Sequence, residues 1–273
     1  MLESVLITGG NAGVGRETAR QLAIAGVERV LLGCRNLDKA AAAVAALEAE
    51  TGRSVFGVVR MDLCDLESVR AAVSDLEEPV QGVVLNAGGL GGASGGALIT
   101  AGATRDFATN VLGHAVLLEE LVAAGKVRDV VVHSGAEAAR GIPMLRMQRP
   151  ALRSSTVEEF ASIADGSWFG DAFDPTRSFI LSKYIAALWI GACARRHEGL
   201  RFVTMSPGGT TGSAMTDTPA AMRLVARAMQ RVMQAMGRFH DMETGAKRYV
   251  QALTDPGLGG GRFYGSPWPG LTG

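Results

Sequence analysis

A glycine-rich turn near the start of the chain carries the first chemical signal. Thr8 and Gly9 follow a short apolar run, and Gly13 and Gly15 open the amphipathic segment after it. Glycines at this spacing let the N–H groups of a helix N-terminus approach a pyrophosphate that side chains would block. A tight strand-to-helix turn without a ligand is the alternative, but the strand before and the helix after provide the context that a dinucleotide site requires. We therefore predict a dinucleotide phosphate site here, with Asn11, Val14 and Arg16 also among its residues.

The residues after the second apolar run indicate which dinucleotide is bound. That run ends at Gly33-Cys34, and Arg35 and Asn36 follow it. A site for NAD places a carboxylate here to accept from the ribose 2′-hydroxyl, whereas NADP needs a cation for its 2′-phosphate. The acidic residue is absent, Arg35 takes its place, and Arg16 is a second candidate clamp. A solvated surface arginine is the alternative, but two cations without a nearby acid favour NADP(H) as the cofactor.

The chain around these motifs alternates short apolar runs with longer amphipathic segments. The runs are continuously apolar, which is typical of a parallel sheet covered by helices on both faces. We therefore predict an α/β fold, a Rossmann-type doubly wound parallel sheet that binds ligands beyond the carboxyl ends of its strands. Strands are predicted at 4–8, 29–33, 54–60, 81–85, 127–132, 201–205 and 261–264. Helices are predicted at 14–25, 37–50, 66–76 (with Asp65 as N-cap), 104–123, 179–196, 220–236 and 244–253.

Two stretches interrupt the alternation, but neither is a linker, so we predict one domain over residues 1–273. Residues 135–176 read as a long insertion with at most short helices over the sheet edge, either functional or an ordinary surface excursion. Residues 210–240 read as a helical segment that covers the substrate. Its methionines at helical spacing fit either a packed helix face or a flexible apolar lid. The glycine-rich run 88–96 is predicted to be a loop at the rim of the cleft. The methionines are Met222, Met229, Met233 and Met236.

Composition excludes several classes of protein. The chain has 27 basic and 27 acidic side chains, so no net field attracts a nucleic acid. Three cysteines and four histidines show neither a disulfide framework nor metal-ligand spacing. We find no signal peptide and no apolar run long enough to span a membrane. These features predict a soluble, cytoplasmic, metal-free protein.

Taken together, the motifs resemble the short-chain dehydrogenase/reductase family over nearly the whole chain. Beyond the glycine turn, the matching residues are Asp62-Leu63 after strand three, Asn86-Ala87-Gly88 after strand four, Asn110, Ser134 at the end of strand five, and Pro207-Gly208 after strand six. Cys34-Arg35-Asn36 resembles the NADP-preferring members related to carbonyl, retinol and protochlorophyllide reductases.

The resemblance implies a role for each matching position. Asp62 and Leu63 would flank the adenine, and residues 86–88 would line its ribose and stabilise the central strand, although they also read as a turn only. Asn110 would hold a water of the proton relay, or would merely kink its helix. Lys183 would bind the nicotinamide ribose hydroxyls. The nicotinamide amide would be held by Pro207, Gly208 and a hydroxyl of Thr210, Thr211 or Ser213.

Two positions of the implied catalytic set need comment: the residue that matches the family serine is ambiguous, and the residue at the family tyrosine position differs from the pattern. Ser134 would hydrogen-bond the substrate carbonyl, but a slip of one residue puts Gly135 or His133 there. The family's catalytic signature is Tyr-x-x-x-Lys, whose lysine lowers the pKa of the phenol so that it can exchange a proton. Here the lysine is Lys183, but Phe179 stands at the tyrosine position, and Tyr184 lies too far round the helix to replace it.

Three explanations for Phe179 remain open: a deliberately replaced tyrosine, a natural member with non-standard chemistry, or a member that binds cofactor only. The leading hypothesis is an NADP(H)-dependent oxidoreductase that passes hydride between nicotinamide and a carbonyl or hydroxyl carbon of a hydrophobic small molecule, without a metal. The alternatives are a cofactor-binding protein without turnover and a non-redox enzyme on the same scaffold. We expect a monomer or weak dimer, because the 135–176 insertion would cover the helix that carries Lys183.

Overall fold

The computed structural model describes residues 2–142, 147–210 and 240–266, and its centre is a parallel seven-stranded sheet. The strands are β1 Ser4–Thr8, β2 Arg29–Cys34, β3 Phe56–Arg60, β4 Val80–Leu85, β5 Val127–Ser134, β6 Arg201–Met205 and β7 Arg262–Tyr264. Their order is β3-β2-β1-β4-β5-β6-β7, so the winding direction reverses between β1 and β4. This confirms the predicted Rossmann-type doubly wound fold and places a ligand crevice at the ends of β1 and β4.

Helices flank the sheet on both faces. They are α1 Gly13–Ile24, α2 Leu37–Thr51, α3 Leu66–Ser74, α4 Arg105–Phe107, α5 Gly113–Ala123, α6 Val157–Asp165, α7 Pro175–Arg196 and α8 Met242–Thr254. Asp65 is the N-cap of α3, as predicted, because its carboxylate accepts from the N–H groups of Glu67 and Ser68. The predicted helix 220–236 lies outside the described residues. No helix among the residues described is long and apolar enough to cross a membrane.

The core is divided between the two faces of the sheet. Val5 and Ile7 of β1 pack with α1, α2 and α8, whereas Leu6 between them packs with α3, α5 and α7. β5 follows the same alternation, with Val130 and Val132 on the α8 face and Val131 on the α7 face. Because both faces are covered, every β1 residue is buried, which explains the unbroken apolar pattern of the strand.

The predicted helix 104–123 is interrupted. A π-helical turn at Ala108–Leu112 separates α4 from α5 and places the buried Asn110 inside the irregular stretch. The side-chain amide of Asn110 donates to the backbone oxygen of Asp106 at 2.9 Å, four residues earlier. A side-chain bond of this kind competes with the regular helical ladder, and Asn110 also bonds Gly89 of a loop distant in sequence, so local and tertiary contacts together account for the interruption.

The insertion has a different position from the one predicted. Its helix α6 places Ile163 in a small apolar cluster with Phe107 and Val111 beside α4 and with Leu181 and Ile185 of α7. It therefore packs on the α4 region and α7, and not directly on a strand at the sheet edge. The physical reason is that α4 and α7 present an apolar face that α6 buries.

Candidate active site

A cleft of about 390 Å³ opens at the carboxyl edge of the sheet, at the reversal between β1 and β4. Its walls come from the segments that follow β1, β2, β3 and β4 and from the α4 region. Several predicted cofactor residues meet there, together with residues that the sequence analysis did not select. The lining residues are Thr8, Gly9, Asn11, Gly33, Cys34, Arg35, Met61, Asp62, Leu63, Ala87, Gly88, Gly89, Leu90, Gly91, Ser94, Arg105, Asp106 and Thr109.

The glycine turn forms one wall of the cleft and leads into α1. Gly9 and Gly13 have φ values of 65° and 56°, in the left-handed region that favours glycine. A Cβ on Gly15 would collide with the side-chain amide of Asn86, so this glycine is required for close packing. α1 has neither a side-chain N-cap nor an acidic residue in its first turn. Its N–H groups are therefore available to an anion, which fits a pyrophosphate.

The residues predicted to bind the 2′-phosphate, near the end of β2, differ in their positions and contacts. Arg35 is exposed and lines the cleft. Arg16 instead forms an ion pair with Glu50 at 2.6 Å, which corrects the expectation that no acid lies near the two cations. The side chain of Asn36 accepts from the N–H of Lys39 at 2.8 Å and caps α2. Within the described chain, Arg35 is the residue of this group that the cleft geometry favours.

Asn86 and Thr8 join the ends of β4 and β1. The Asn86 amide donates to the Thr8 carbonyl at 2.9 Å, and the Thr8 hydroxyl accepts from the N–H groups of Asn86 and Ala87 at 2.9 Å each. Ala87 and Gly88 then continue along the cleft wall, as do Asp62 and Leu63 after β3. Asn86 thus holds the two strands together, while its neighbours face the ligand space.

Asn110 fastens the loop after β4. Its side-chain oxygen accepts from the N–H of Gly89 at 3.0 Å, and its side-chain nitrogen donates to the Gly89 carbonyl at 3.0 Å. A Cβ on Gly88 would lie 2.5 Å from this oxygen and 3.3 Å from the Nζ of Lys183. The structure therefore brings Asn110, Lys183 and the cleft wall together. The predicted water-holding role of Asn110 stays a prediction.

Lys183 and Phe179 lie one turn apart on α7, as the four-residue spacing predicts. The Lys183 Nζ donates to the Ser134 carbonyl at 2.9 Å and lies 6.0 Å from the centre of the Phe179 ring. The lysine is buried, and this burial lowers its pKa to about 8, although the carboxylate of Asp106 opposes the shift. Near neutral pH the site thus holds a buried cation beside a phenyl ring that has no proton to exchange.

The hydroxyl of Ser134 is not directed to the α7 side of the sheet. It lies 2.5 Å from the hydroxyl of Tyr249, a fully buried residue of α8. This is the face of Val130 and Val132, opposite the one that α7 covers. The implied bond from Ser134 to a substrate carbonyl is therefore not supported by this geometry, because strand alternation turns the side chain away from Lys183. Only the Ser134 carbonyl reaches the lysine.

The segment after β6 lies at the same edge of the sheet but outside the cleft lining. Gly208 has a φ of 79° and its N–H donates to the Ser206 hydroxyl at 3.1 Å. Thr210 forms an isolated bridge with His240. Thr211 and Ser213 lie outside the described residues, as do the four methionines of the predicted lid. The structure therefore tests neither the nicotinamide amide contacts nor the lid.

Comparisons with known proteins agree with this architecture. The family profile described as the KR domain matches residues 3–147, which is more than half of the chain. Protochlorophyllide reductase B from Oryza sativa is 30% identical over 93% of this chain and 67% of its own length. The chain belongs to the short-chain dehydrogenase/reductase family. Mouse retinol dehydrogenase 11 is 41% identical over 30% of this chain and 27% of its own length.

A solved structure supports the fold of this family member independently. A short chain dehydrogenase from Burkholderia cenocepacia, in complex with NADP, superimposes with a TM-score of 0.67 over 98% of this chain and 96% of its own. The two sequences are 21% identical, so this likeness concerns the fold alone. Together with the family match, it confirms the predicted family and architecture.

Asp106 and His114, which the sequence analysis missed, lie around Lys183 in this dehydrogenase/reductase fold together with His133, which it named only as an alternative to Ser134. Asp106 lies four positions before Asn110, a spacing that places both on one helix face. His114 and His133 are fully buried, and burial together with the Lys183 charge lowers the pKa of each, that of His114 to about 3. Both imidazoles are therefore neutral near pH 7. The spacing of Asp106 and Asn110 could be read from the sequence. The side of the sheet on which His133 lies is known only from the observed strand β5.

Proposed function

We propose that this chain is an NADP(H)-dependent oxidoreductase that passes hydride between nicotinamide and a carbonyl or hydroxyl carbon of a hydrophobic small molecule. The observation that carries the proposal is the cleft at the β1–β4 reversal, where the glycine turn and Arg35 lie on one continuous wall. Family membership supports a nicotinamide cofactor, and relatives named for protochlorophyllide and retinol support a largely hydrophobic substrate.

The preference for NADP over NAD rests on charge at the end of β2. No carboxylate follows the strand, and the exposed Arg35 guanidinium borders the cleft. Arginine binds a phosphate with two parallel hydrogen bonds, so it suits the 2′-phosphate that distinguishes NADP. Arg16 contributes less because Glu50 already engages it. Titration with NADPH and NADH tests this, since equal affinity for the two would contradict the assignment.

Different residues of this chain would bind the cofactor and control proton transfer. The cofactor, when bound, supplies or accepts the hydride. Gly9, Gly13 and the N-terminus of α1 would hold its pyrophosphate, and Lys183 would hold the nicotinamide ribose hydroxyls. Phe179 lies beside the lysine but has no proton to exchange. Proton transfer at the substrate oxygen would therefore depend on water, which is a slower route than a positioned acid.

Apolar surface near the cleft fits a hydrophobic substrate. Leu90 lines the cleft with half of its surface exposed, and Leu98 is also exposed on the segment that follows the glycine-rich loop. Phe179 is half-buried beside Lys183. Small-molecule sites are typically lined by apolar side chains with a few placed polar groups, and Leu90 supplies one such apolar side chain to the cleft. A panel of aldehydes, ketones and quinones, followed by NADPH oxidation, tests this part of the proposal.

A second candidate function is cofactor binding without turnover. It is favoured by one specific observation: the side chains at two implied catalytic positions, Phe179 and Ser134, offer no hydroxyl on the Lys183 side of the sheet. Binding of NADPH with no turnover across the panel, also after a tyrosine is introduced at position 179, would support this candidate. Restored turnover would support the oxidoreductase.

We also propose a monomer or weak dimer. The insertion buries Ile163 against Leu181 and Ile185 of α7, so part of that helix is already covered within one chain. Light scattering over a range of concentrations tests this. A tetramer that does not dissociate on dilution would contradict it.

A further inference from the structure

The ammonium of Lys183 is buried where few groups can balance its charge. Only 3% of the residue is exposed, and its Nζ donates to the neutral Ser134 carbonyl. The titratable groups that face it are His114 of α5, His133 of β5 and Asp106 of α4. Both imidazoles are neutral near pH 7, because burial and the charge of Lys183 lower their pKa, so neither can balance the ammonium. Phe179 can never become a phenolate. Of these groups, only Asp106 can supply a negative charge.

Asp106 accepts hydrogen bonds on both of its carboxyl oxygens. Only 1% of it is exposed, yet three donors point at its side chain. The N–H of Gly91 donates to Oδ1 at 3.1 Å, the Asn110 amide donates to the same oxygen at 3.4 Å, and the Ser178 hydroxyl donates to Oδ2 at 2.6 Å. Burial raises the pKa of this carboxyl above its ordinary value, whereas the bonds from Ser178 and Gly91 and the charge of Lys183 lower it. Backbone and amide N–H groups can only donate, so two of them on one oxygen favour the charged form. The negative charge is therefore held in place by α7, the glycine-rich loop and the π-helical turn.

Asn110 connects the two charges. Its amide nitrogen faces Asp106, and its oxygen approaches the same point beside Gly88 that the Lys183 Nζ approaches. Asp106 therefore lies across Asn110 from the ammonium, and unit charges interact more strongly through a protein interior than through water, so the carboxylate stabilises the ammonium without a direct ion pair. Ser178, which anchors Asp106, immediately precedes Phe179 on α7. The carboxylate is thus tied to the helix that carries the lysine.

We propose that Asp106 is the counter-ion of Lys183 and acts as a positioning residue that keeps this lysine charged for the cofactor ribose. The inference deepens the proposed function, since it rests on Lys183 as the ribose-binding residue. It assigns to the carboxylate of Asp106 the balancing negative charge that the phenylalanine at position 179 cannot provide. The electrostatic part concerns this chain alone, so it can be measured without any cofactor.

The test follows the lysine directly by NMR. The chain has four lysines, Lys39, Lys126, Lys183 and Lys247, so a sample labelled with ¹³C at lysine Cε gives four signals, and Lys183→Met identifies the one of interest. In the parent protein the Lys183 signal should titrate with a midpoint near pH 8. In Asp106→Asn this midpoint should fall by about one pH unit or more, because the neutral amide no longer stabilises the ammonium.

Ser178→Ala is the matched control. It removes one hydrogen bond to Asp106 but keeps the charge, so the Lys183 midpoint should stay within about 0.3 pH units of the parent. An equal shift in Ser178→Ala and Asp106→Asn would show that packing, and not charge, moves the lysine. An unchanged midpoint in folded Asp106→Asn would also overturn the proposal.

A reciprocal measurement covers the case in which Asp106→Asn does not fold. Coupling between two charges acts equally in both directions, so Lys183→Met should raise the titration midpoint of the Asp106 carboxyl carbon. An unchanged Asp106 midpoint would refute the pairing. NADPH binding is measured separately at each pH. If the Lys183 midpoint shifts as expected but neither the parent protein nor any variant binds NADPH, the counter-ion proposal stands and the proposed function falls.

Discussion

Phe179→Tyr introduces a proton donor beside Lys183, and the structure indicates the size of the expected effect. The substitution adds a hydroxyl to a half-buried ring whose centre lies 6.0 Å from the Lys183 Nζ. If about 6 Å is taken as the separation between the ammonium and the new phenolate, and the effective dielectric constant as about 20, the two charges interact by roughly 3 kcal/mol, which lowers the pKa of a phenol from about 10 to about 8. The new hydroxyl is then acidic enough to protonate a developing alkoxide.

The expected gain in rate is at least tenfold. A positioned general acid contributes about 10²–10⁴-fold, but here the Ser134 hydroxyl is bonded to Tyr249 and offers no help to the substrate carbonyl. The gain should therefore lie at the lower end of that range. NADPH oxidation with a panel of aldehydes, ketones and quinones provides the measurement, and cofactor affinity is determined in parallel.

Phe173→Tyr is the matched control for this experiment. Phe173 is also half-buried, but it packs on Phe169 and Gly96 and not on Lys183. The same chemical change there should leave the rate unchanged. The reasoning is refuted if Phe179→Tyr binds NADPH with parental affinity and shows no gain on any substrate, or if Phe173→Tyr gains as much.

Three further predictions follow from the same site. Arg35→Ala should weaken NADPH binding about tenfold or more and leave NADH binding unchanged, because one charge-assisted contact to the 2′-phosphate is lost. Fluorescence titration measures both affinities, and equal losses for the two cofactors would contradict this role. Ser134→Ala and Tyr249→Phe should each lower the free energy of unfolding by about 1–3 kcal/mol, since each leaves a buried hydroxyl without its partner, and the double variant should lose less than the sum; urea unfolding measures all three, and additive losses would argue against the bond. NADPH affinity should fall as pH rises through about 8, where folded Lys183 loses its proton. Over the same rise the contribution of this lysine to stability increases, because the unfolded chain keeps its proton up to about pH 10.4 and binds more protons than the folded one; a binding curve that is flat from pH 7 to pH 9 would rule out a charged Lys183 in the cofactor site.

Local signals in the sequence were sufficient for the fold. Short apolar runs separated by amphipathic segments predict a parallel sheet covered on both faces, and the strand bounds differ from the predicted ones by two residues at most. The bounds of β1 and β6 agree at both ends. The π-helical turn at Ala108–Leu112 was not predicted, because it depends on contacts of Asn110 with a loop distant in sequence. The insertion was misplaced for the same reason, since its partners on α4 and α7 are set by tertiary packing.

The cofactor-binding residues were more predictable from the sequence than the residues implied in proton transfer. Turn residues such as Gly9 and Gly13 are required by local backbone geometry, so their spacing is readable from the sequence. The direction of the Ser134 side chain is not, because β5 is apolar on both faces and its pattern does not show which face each residue takes. The ion pair of Arg16 with Glu50 joins two helices, and neither residue predicts the other.

The geometry separates two properties that a Tyr-x-x-x-Lys site combines. In that arrangement one phenol is both the proton donor and, once deprotonated, the anion beside the lysine. Here the donor is absent at Phe179, while a buried carboxylate at Asp106 remains to balance the charge of Lys183. On the proposed roles, cofactor binding would persist without efficient proton transfer, because the charge proposed to hold the ribose does not depend on residue 179. Introducing a tyrosine at position 179 and neutralising Asp106 should consequently affect different measurements: the first the rate of reduction, the second the pH range over which NADPH binds.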